Sequence, residues 1–297
     1  MKETPFHETI TIIGGDFRHF LLYRHFAKLG YPVTGLGLST STKEHSQKIQ
    51  GKYTLSIQDL KPSDIWIGGI PFSRDDKYVY GDSLGTSILL EDFFSFLNAH
   101  PPKRLIAGQF SPKALDYART FQIPCTDILK FDTLAIANAV PTAEGAIYHA
   151  IKESPYMLHG ANCLVLGFGK CGKALAEKLK GLDAKVSVCV RKRTDLILAE
   201  SLGFTPVPLA QLPKTLSSYL FVFNTIPAMV LDQQALNLVS NDATIIDIAS
   251  MPGGVDFEAA KTMGKSAFHC LSLPGQLSPN TAADILFNEI QQLLQIS

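Results

Sequence analysis

The chain has few cysteines, little charge of either sign in excess, and no long apolar run. Its five cysteines are odd in number and contain no Cys-x-x-Cys pair, so they supply neither a disulfide framework nor a zinc pattern. A reducing cytoplasm suits them. Lysine plus arginine equals aspartate plus glutamate, at 27 each. That balance excludes the basic footprint of a nucleic-acid binder and any block of like charge aimed at a membrane surface. No stretch of eighteen apolar residues is free of breakers or charges. The nearest, Leu134 to Ile151, contains Pro141 and Glu144, so no membrane span is expected. Met1-Lys2-Glu3-Thr4-Pro5 lacks the apolar core of a signal peptide. The histidines at 19, 25, 149, 159 and 269 have no paired metal spacing, and no metal site is expected.

Hydrophobic residues make up 46% of the 297 and charged residues 18%, which describes a globular chain large enough for two cores. Short β-branched runs alternate with helical patterns almost throughout, the pattern of parallel α/β layers. The expected fold is two Rossmann-like, doubly wound parallel-sheet domains with a cleft between them. In the first half, strands are expected at 9–13, 33–38, 64–68, 104–107 and 123–126, with helices at 18–28, 86–98 and 112–121. Residues 130–155 read as a connector and crossing helix. Strands follow at 162–166, 185–190, 219–223, 243–248 and 266–270. The first domain is placed at 1–135 and the second at 136–297. The amphipathic last helix, 279–296, is expected to return and brace the first domain.

Between the strand Cys163-Leu164-Val165-Leu166 and the next helix lies Gly167-Phe168-Gly169-Lys170-Cys171-Gly172. In such a Gly-x-Gly-x-x-Gly turn the first glycine makes the bend and the second admits a pyrophosphate. The third lets helix and strand pack closely. The helix N-terminus then offers N–H groups to phosphate. An acidic residue after the second strand would bind the ribose 2′-hydroxyl, but here Arg191-Lys192-Arg193 stands instead. Guanidinium groups suit a 2′-phosphate, so NADP is expected over NAD; the alternative is a solvated charged surface. Asn224-Thr225, after one strand, are candidates for the nicotinamide ribose. Ala249-Ser250, after another, open a loop that would wall the nicotinamide.

With Gly14-Gly15-Asp16-Phe17-Arg18, Asn138-Ala139-Val140-Pro141-Thr142-Ala143-Glu144-Gly145, His159-Gly160, Asn224-Thr225-Ile226-Pro227, Asp247 to Phe257 and Leu273-Pro274-Gly275, the chain resembles the dipicolinate synthase A-subunit family along nearly its whole length. The resemblance implies nicotinamide-dependent oxidation of a dihydrodipicolinate-type ring, a cyclic dicarboxylate, to dipicolinate. It implies a flavoprotein-like second subunit, and the mother cell of a sporulating bacterium as the setting; a homo-oligomer is a further possibility. Gln276 and Asn280 stand where the family pattern carries lysines.

Such a substrate needs two anion sites and placement of its ring, which is catalysis by proximity and orientation. Arg18 is the first candidate for a carboxylate, with an ion pair to Asp16 as the alternative. Thr142 is a candidate hydrogen-bond donor to substrate and Glu144 a candidate base, although Thr142-Ala143-Glu144 after Pro141 also reads as a helix start. Cys171 reads as a small residue pressed near the pyrophosphate rather than a nucleophile. Two other functions share the two-domain plan: a shikimate-type or 2-hydroxyacid dehydrogenase, and an NADPH-binding scaffold without catalysis.

Overall fold

The computed structural model describes residues 8–39, 52–54, 57, 61–84 and 88–295. Met1–Pro5, Thr86 and Ser87 of an expected helix, and Ile296 lie outside them. The chain divides into two compact units, Met1–Ala135 with Ser278–Ser297, and Ile136–Leu277.

In the first unit β1 (Ile10–Ile13) leads into α1 (Phe17–Lys28), then β2 (Val33–Leu36), β3 (Lys52–Thr54) and β4 (Ile65–Ile67). α2 (Leu90–Ala99), β5 (Arg104–Ala107), α3 (Pro112–Thr120) and β6 (Cys125–Asp127) follow. The strands form one parallel sheet in the order β3-β2-β1-β4-β5-β6. All four residues of β1 are buried, as expected of a strand covered on both faces. α3 begins where Ser111 accepts the Ala114 N–H and Pro112 occupies the first turn, so the serine satisfies an otherwise unpaired N–H.

α4 (Asp132–Glu153) carries the chain across the boundary between units. The second unit continues with β7 (Asn162–Leu166), α5 (Lys170–Gly181), β8 (Lys185–Val190), α6 (Arg193–Ser201) and β9 (Thr205–Pro208). β10 (Phe221–Asn224), α7 (Gln233–Leu238), β11 (Thr244–Asp247), α8 (Phe257–Thr262), β12 (Ser266–His269) and α9 (Leu273–Leu277) complete it. Its sheet is again parallel, ordered β12-β11-β10-β7-β8-β9. Each sheet therefore starts at its centre and reverses direction beside its first strand, between β1 and β4 and between β7 and β10. Open sheets of this kind take ligands at that reversal, beyond the carboxyl ends of the strands.

The last helix, α10 (Pro279–Leu294), belongs to the first unit. Leu286, Phe287 and Ile290 enter one core with Phe20, Tyr23 and Phe26, and the Phe26 and Phe287 rings meet edge to face at 4.9 Å. Each such buried side chain contributes about 1.5–3 kcal/mol. In the second unit Val165, Leu175 and Leu179 pack on one face of the sheet, and Leu164, Val222 and Leu236 on the other.

One expectation is corrected here. Thr142 and Glu144 do not open a helix after Pro141, because α4 runs through that proline without a break. Pro141 cannot donate a backbone hydrogen bond; one residue on, the Thr142 hydroxyl donates to the Asn138 carbonyl at 2.6 Å.

Candidate functional site

The glycine turn of the second unit sits at the reversal between β7 and β10. Gly167 has φ +95°, open to glycine but strained for other residues. A Cβ there would also lie 2.5 Å from Thr225 Oγ1. Gly172 is held by the third requirement, since a Cβ on it would overlap the Gly167 carbonyl oxygen. Gly169 differs from both. It is exposed, has φ −75°, and a Cβ would meet nothing within 4 Å. Open space therefore lies in front of the turn, as a close-approaching pyrophosphate requires. Gly169 is also the N-cap of α5 and has no side chain with which to accept its first-turn N–H groups, which suits an anion in that place.

Around the turn, Phe168 is buried against Phe204, and Lys173 Nζ lies 5.5 Å from the Phe168 ring centre. Lys170, exposed, is the first residue of α5. Cys171 is partly buried, and its burial pushes the thiol pKa up, with Lys170 opposing weakly. A raised pKa suppresses the thiolate that nucleophilic chemistry needs, which agrees with a small residue in the turn rather than a nucleophile.

Arg191 follows β8 directly, Lys192 is the N-cap of α6 and Arg193 its first residue. All three are exposed. Among the described residues none is engaged by a carboxylate. They form a cationic group at the strand end where the adenosine ribose is read in sheets of this plan.

Asn224 and Thr225 are placed differently from the sequence expectation. The Asn224 side chain is 0% exposed. Its amide donates to Asp247 Oδ1 at 2.8 Å and to the Ile226 carbonyl at 3.0 Å, while its Oδ1 accepts the Ile226 N–H at 3.1 Å. It is a buried brace between β10 and β11, not a ribose ligand. The Thr225 hydroxyl, half-buried, donates to the Leu166 carbonyl at 2.9 Å and retains acceptor capacity. Asp247, 0% exposed, also accepts the Ala249 N–H at 2.9 Å and the Gly254 N–H at 2.8 Å. Ala249 is buried and Ser250 exposed at the head of the loop so held. His269 Nε2 lies 3.1 Å from the Ala249 carbonyl, and its ring stacks on Phe257. Asp247, Gly253, Gly254 and His269 were missed as parts of one brace. The paired glycines soon after a strand-terminal aspartate were the available signal.

In the first unit Arg18 is 8% exposed and grips Asp16, with Nη2 to Oδ2 at 2.6 Å and Nε to Oδ1 at 2.9 Å. The Asp16 carboxylate also caps α1 by accepting the Arg18 N–H at 3.0 Å. Burial alone would raise the Asp16 pKa, but hydrogen bonds from His19 and Arg18 and the Arg18 charge hold it well below the usual carboxylate range. Of the two readings of Arg18, the ion pair is the one formed. Nor does Gly14-Gly15 open a second dinucleotide turn. The Tyr80 carbonyl accepts the Gly15 N–H at 2.9 Å, the Asp82 N–H donates to the Gly15 carbonyl at 3.0 Å, and a Cβ on Gly14 would overlap the Tyr80 carbonyl. The chain's own residues fill that place.

Thr142 and Glu144 lie on α4 in the second unit. Glu144 is 62% exposed and pairs with Lys178 at 2.8 Å. A solvated, ion-paired carboxylate is not a desolvated base poised for proton transfer. Among the described residues no cluster of histidine, cysteine or carboxylates could hold a metal, and no helix is long and apolar enough to cross a membrane.

Comparison with known proteins agrees with this geometry. Residues 9–129 match the N-terminal domain of the dipicolinate synthase A subunit, and residues 139–252 match the NAD binding domain of D-isomer specific 2-hydroxyacid dehydrogenases. The dipicolinate synthase A subunit of Bacillus subtilis (strain 168) is 37% identical over 163 residues, which is 55% of this chain and 55% of that protein. The crystal structure of the dipicolinate synthase A subunit from Bacillus halodurans superposes with a TM-score of 0.88 at 27% identity, covering 98% of each chain. The crystal structure of its counterpart from Bacillus subtilis gives 0.87 at 26% identity, covering 99% of this chain and 98% of that one. The second unit is a nicotinamide-dinucleotide-binding domain of dehydrogenase type.

Proposed function

We propose that this chain, a relative of the dipicolinate synthase A subunit, is an NADP-linked oxidoreductase subunit that converts a dihydrodipicolinate-type ring to dipicolinate. The observation that carries the reading is the turn Gly167–Gly172. Its first and third glycines are sterically required, and its second faces open space at a helix N-terminus that its N-cap leaves without a side-chain acceptor. The cationic group Arg191, Lys192 and Arg193 supports a 2′-phosphate ligand, because paired guanidinium hydrogen bonds suit its oxygens.

In this reading the Gly169–Gly172 backbone holds the pyrophosphate, and Arg191 with its neighbours holds the 2′-phosphate. Thr225 and the loop opening with Ala249 and Ser250 flank the nicotinamide end. NADP supplies a hydride acceptor when bound. The dihydropyridine ring loses a hydride and a proton and becomes aromatic, so the driving force lies in the product and the protein's task is placement. Arg18 can hold a substrate carboxylate only by exchanging Asp16 for it. Thr142 and Glu144 are not required as acid or base. A flavoprotein-like second subunit completes the active assembly, in the cytoplasm of a sporulating mother cell.

The test follows ultraviolet absorbance of dipicolinate formed from the preceding aldol product, with NADP and with this chain alone, with the second subunit, and with the second subunit alone. Product formation that requires this chain and consumes NADP stoichiometrically supports the reading. Formation by the second subunit alone favours the non-catalytic scaffold.

A further inference from the structure

The brace at the ends of β10 and β11 contains a formal charge. Asp247 is 0% exposed, and its partners are N–H groups: the Asn224 amide and the backbone of Ala249 and Gly254. Among the described residues no lysine or arginine pairs with it. A carboxylate taken out of water without a counter-ion is costly, and N–H dipoles offset only part of that cost. An asparagine would serve this position less well. Its single oxygen accepts on one side only, and its NH2 would face the Asn224 amide or the Gly254 N–H.

The backbone of the loop is drawn directly over this charge. Gly253 has φ +84°, and a Cβ on it would lie 3.0 Å from Asp247 Oδ2. A Cβ on Gly254 would overlap Asn224 Nδ2. Two consecutive glycines thus let the chain close on the carboxylate. Low dielectric strengthens the field of such a charge, and the loop lies beyond the carboxyl ends of the strands, where this fold takes its ligand. The two redox forms of a nicotinamide differ by one positive charge on the ring, which the oxidised form carries and the reduced form lacks.

We propose that Asp247, acting as a fixed negative charge and positioning residue through the loop it braces, makes this unit bind the oxidised dinucleotide more tightly than the reduced one. Such a bias assists release of the reduced product. The inference rests on the nicotinamide reading above.

The test titrates NADP+, NADPH and adenosine 2′,5′-bisphosphate, which lacks the nicotinamide, into the wild-type chain and Asp247→Asn. All titrations are run at one pH and ionic strength, so that ligand and variant are the only variables. The wild type is expected to bind NADP+ more tightly than NADPH. Asp247→Asn is expected to reduce that preference by roughly five- to tenfold and to leave adenosine 2′,5′-bisphosphate affinity unchanged. An unmoved preference, or an equal loss for all three ligands, would show a purely structural role and overturn the proposal. If the variant does not fold, the wild type decides alone, and equal or tighter binding of NADPH refutes the bias. Binding of the bisphosphate and both dinucleotides without preference sinks this inference only. Binding of none sinks the nicotinamide reading and the inference together.

Discussion

Gly172 faces Gly167 so closely that a Cβ on Gly172 would overlap the Gly167 carbonyl oxygen. This contact fixes how near α5 approaches the end of β7, and with it the direction of the first-turn N–H groups.

The two glycines that follow Gly167 in the motif therefore separate stability from binding. Gly172→Ala is expected to destabilise the chain by about 1–3 kcal/mol through overpacking and to weaken dinucleotide binding. Gly169→Ala has room and an ordinary φ, but alanine is the poorer N-cap, so its melting temperature should stay within error or fall slightly. Its added methyl occupies the space a pyrophosphate needs, so binding should fall by roughly tenfold. Thermal melts and calorimetric titration of both variants check this; undiminished binding by Gly169→Ala would contradict the placement of the phosphates.

Glu144 pairs with Lys178 in solvent, and exposed pairs contribute about 0–1 kcal/mol. Glu144→Gln should shift stability by no more than this and leave turnover unchanged. A large loss of turnover with intact NADPH binding would restore Glu144 as the base.

Asp16 and Arg18 set a pH signature in the first unit. Asp16 has its carboxyl pKa depressed in the folded state. Its contribution is therefore full above the unfolded value, near about pH 4, and is lost as pH falls towards the folded value. Asp16→Asn should lower the melting temperature clearly at pH 7, with a gap from wild type that narrows below about pH 4. Arg18→Ala should cost about 1–3 kcal/mol at pH 7, discounted from a fully buried pair because Asp16 retains some exposure. A gap that widened in acid would contradict the assignment.

The fold class was legible because β-branched runs and helical periods alternate with little interruption. Two strands were not. β9 reads Thr205-Pro206-Val207-Pro208, and prolines argue against a strand; it survives because it is an edge strand, paired with β8 alone. β3 has three residues, too few for a period to declare itself. In the candidate site the glycine turn was legible because Gly167 and Gly172 answer local steric needs and Gly169 leaves the helix N-terminus open. The role of Asn224 was not, and Arg18 stood between two readings, of which the ion pair to Asp16 is the one formed. A polar residue at a strand end reads alike whether it faces a ligand or a neighbouring strand. Only the pairing of Asn224 with Asp247 across β10 and β11 turns it inward. For Arg18 the partner is local: Asp16, two residues away, accepts a hydrogen bond from its Nη2 at 2.6 Å.

The most direct measurement is a calorimetric titration of NADP+ and NAD+ into the wild-type chain and into Arg191→Ala. Wild type is expected to bind NADP+ more tightly by roughly tenfold or more, and Arg191→Ala to erase most of the difference by weakening NADP+ alone. Equal affinities that Arg191→Ala leaves unchanged would contradict the 2′-phosphate assignment, and failure of the wild type to bind either dinucleotide would contradict the site itself.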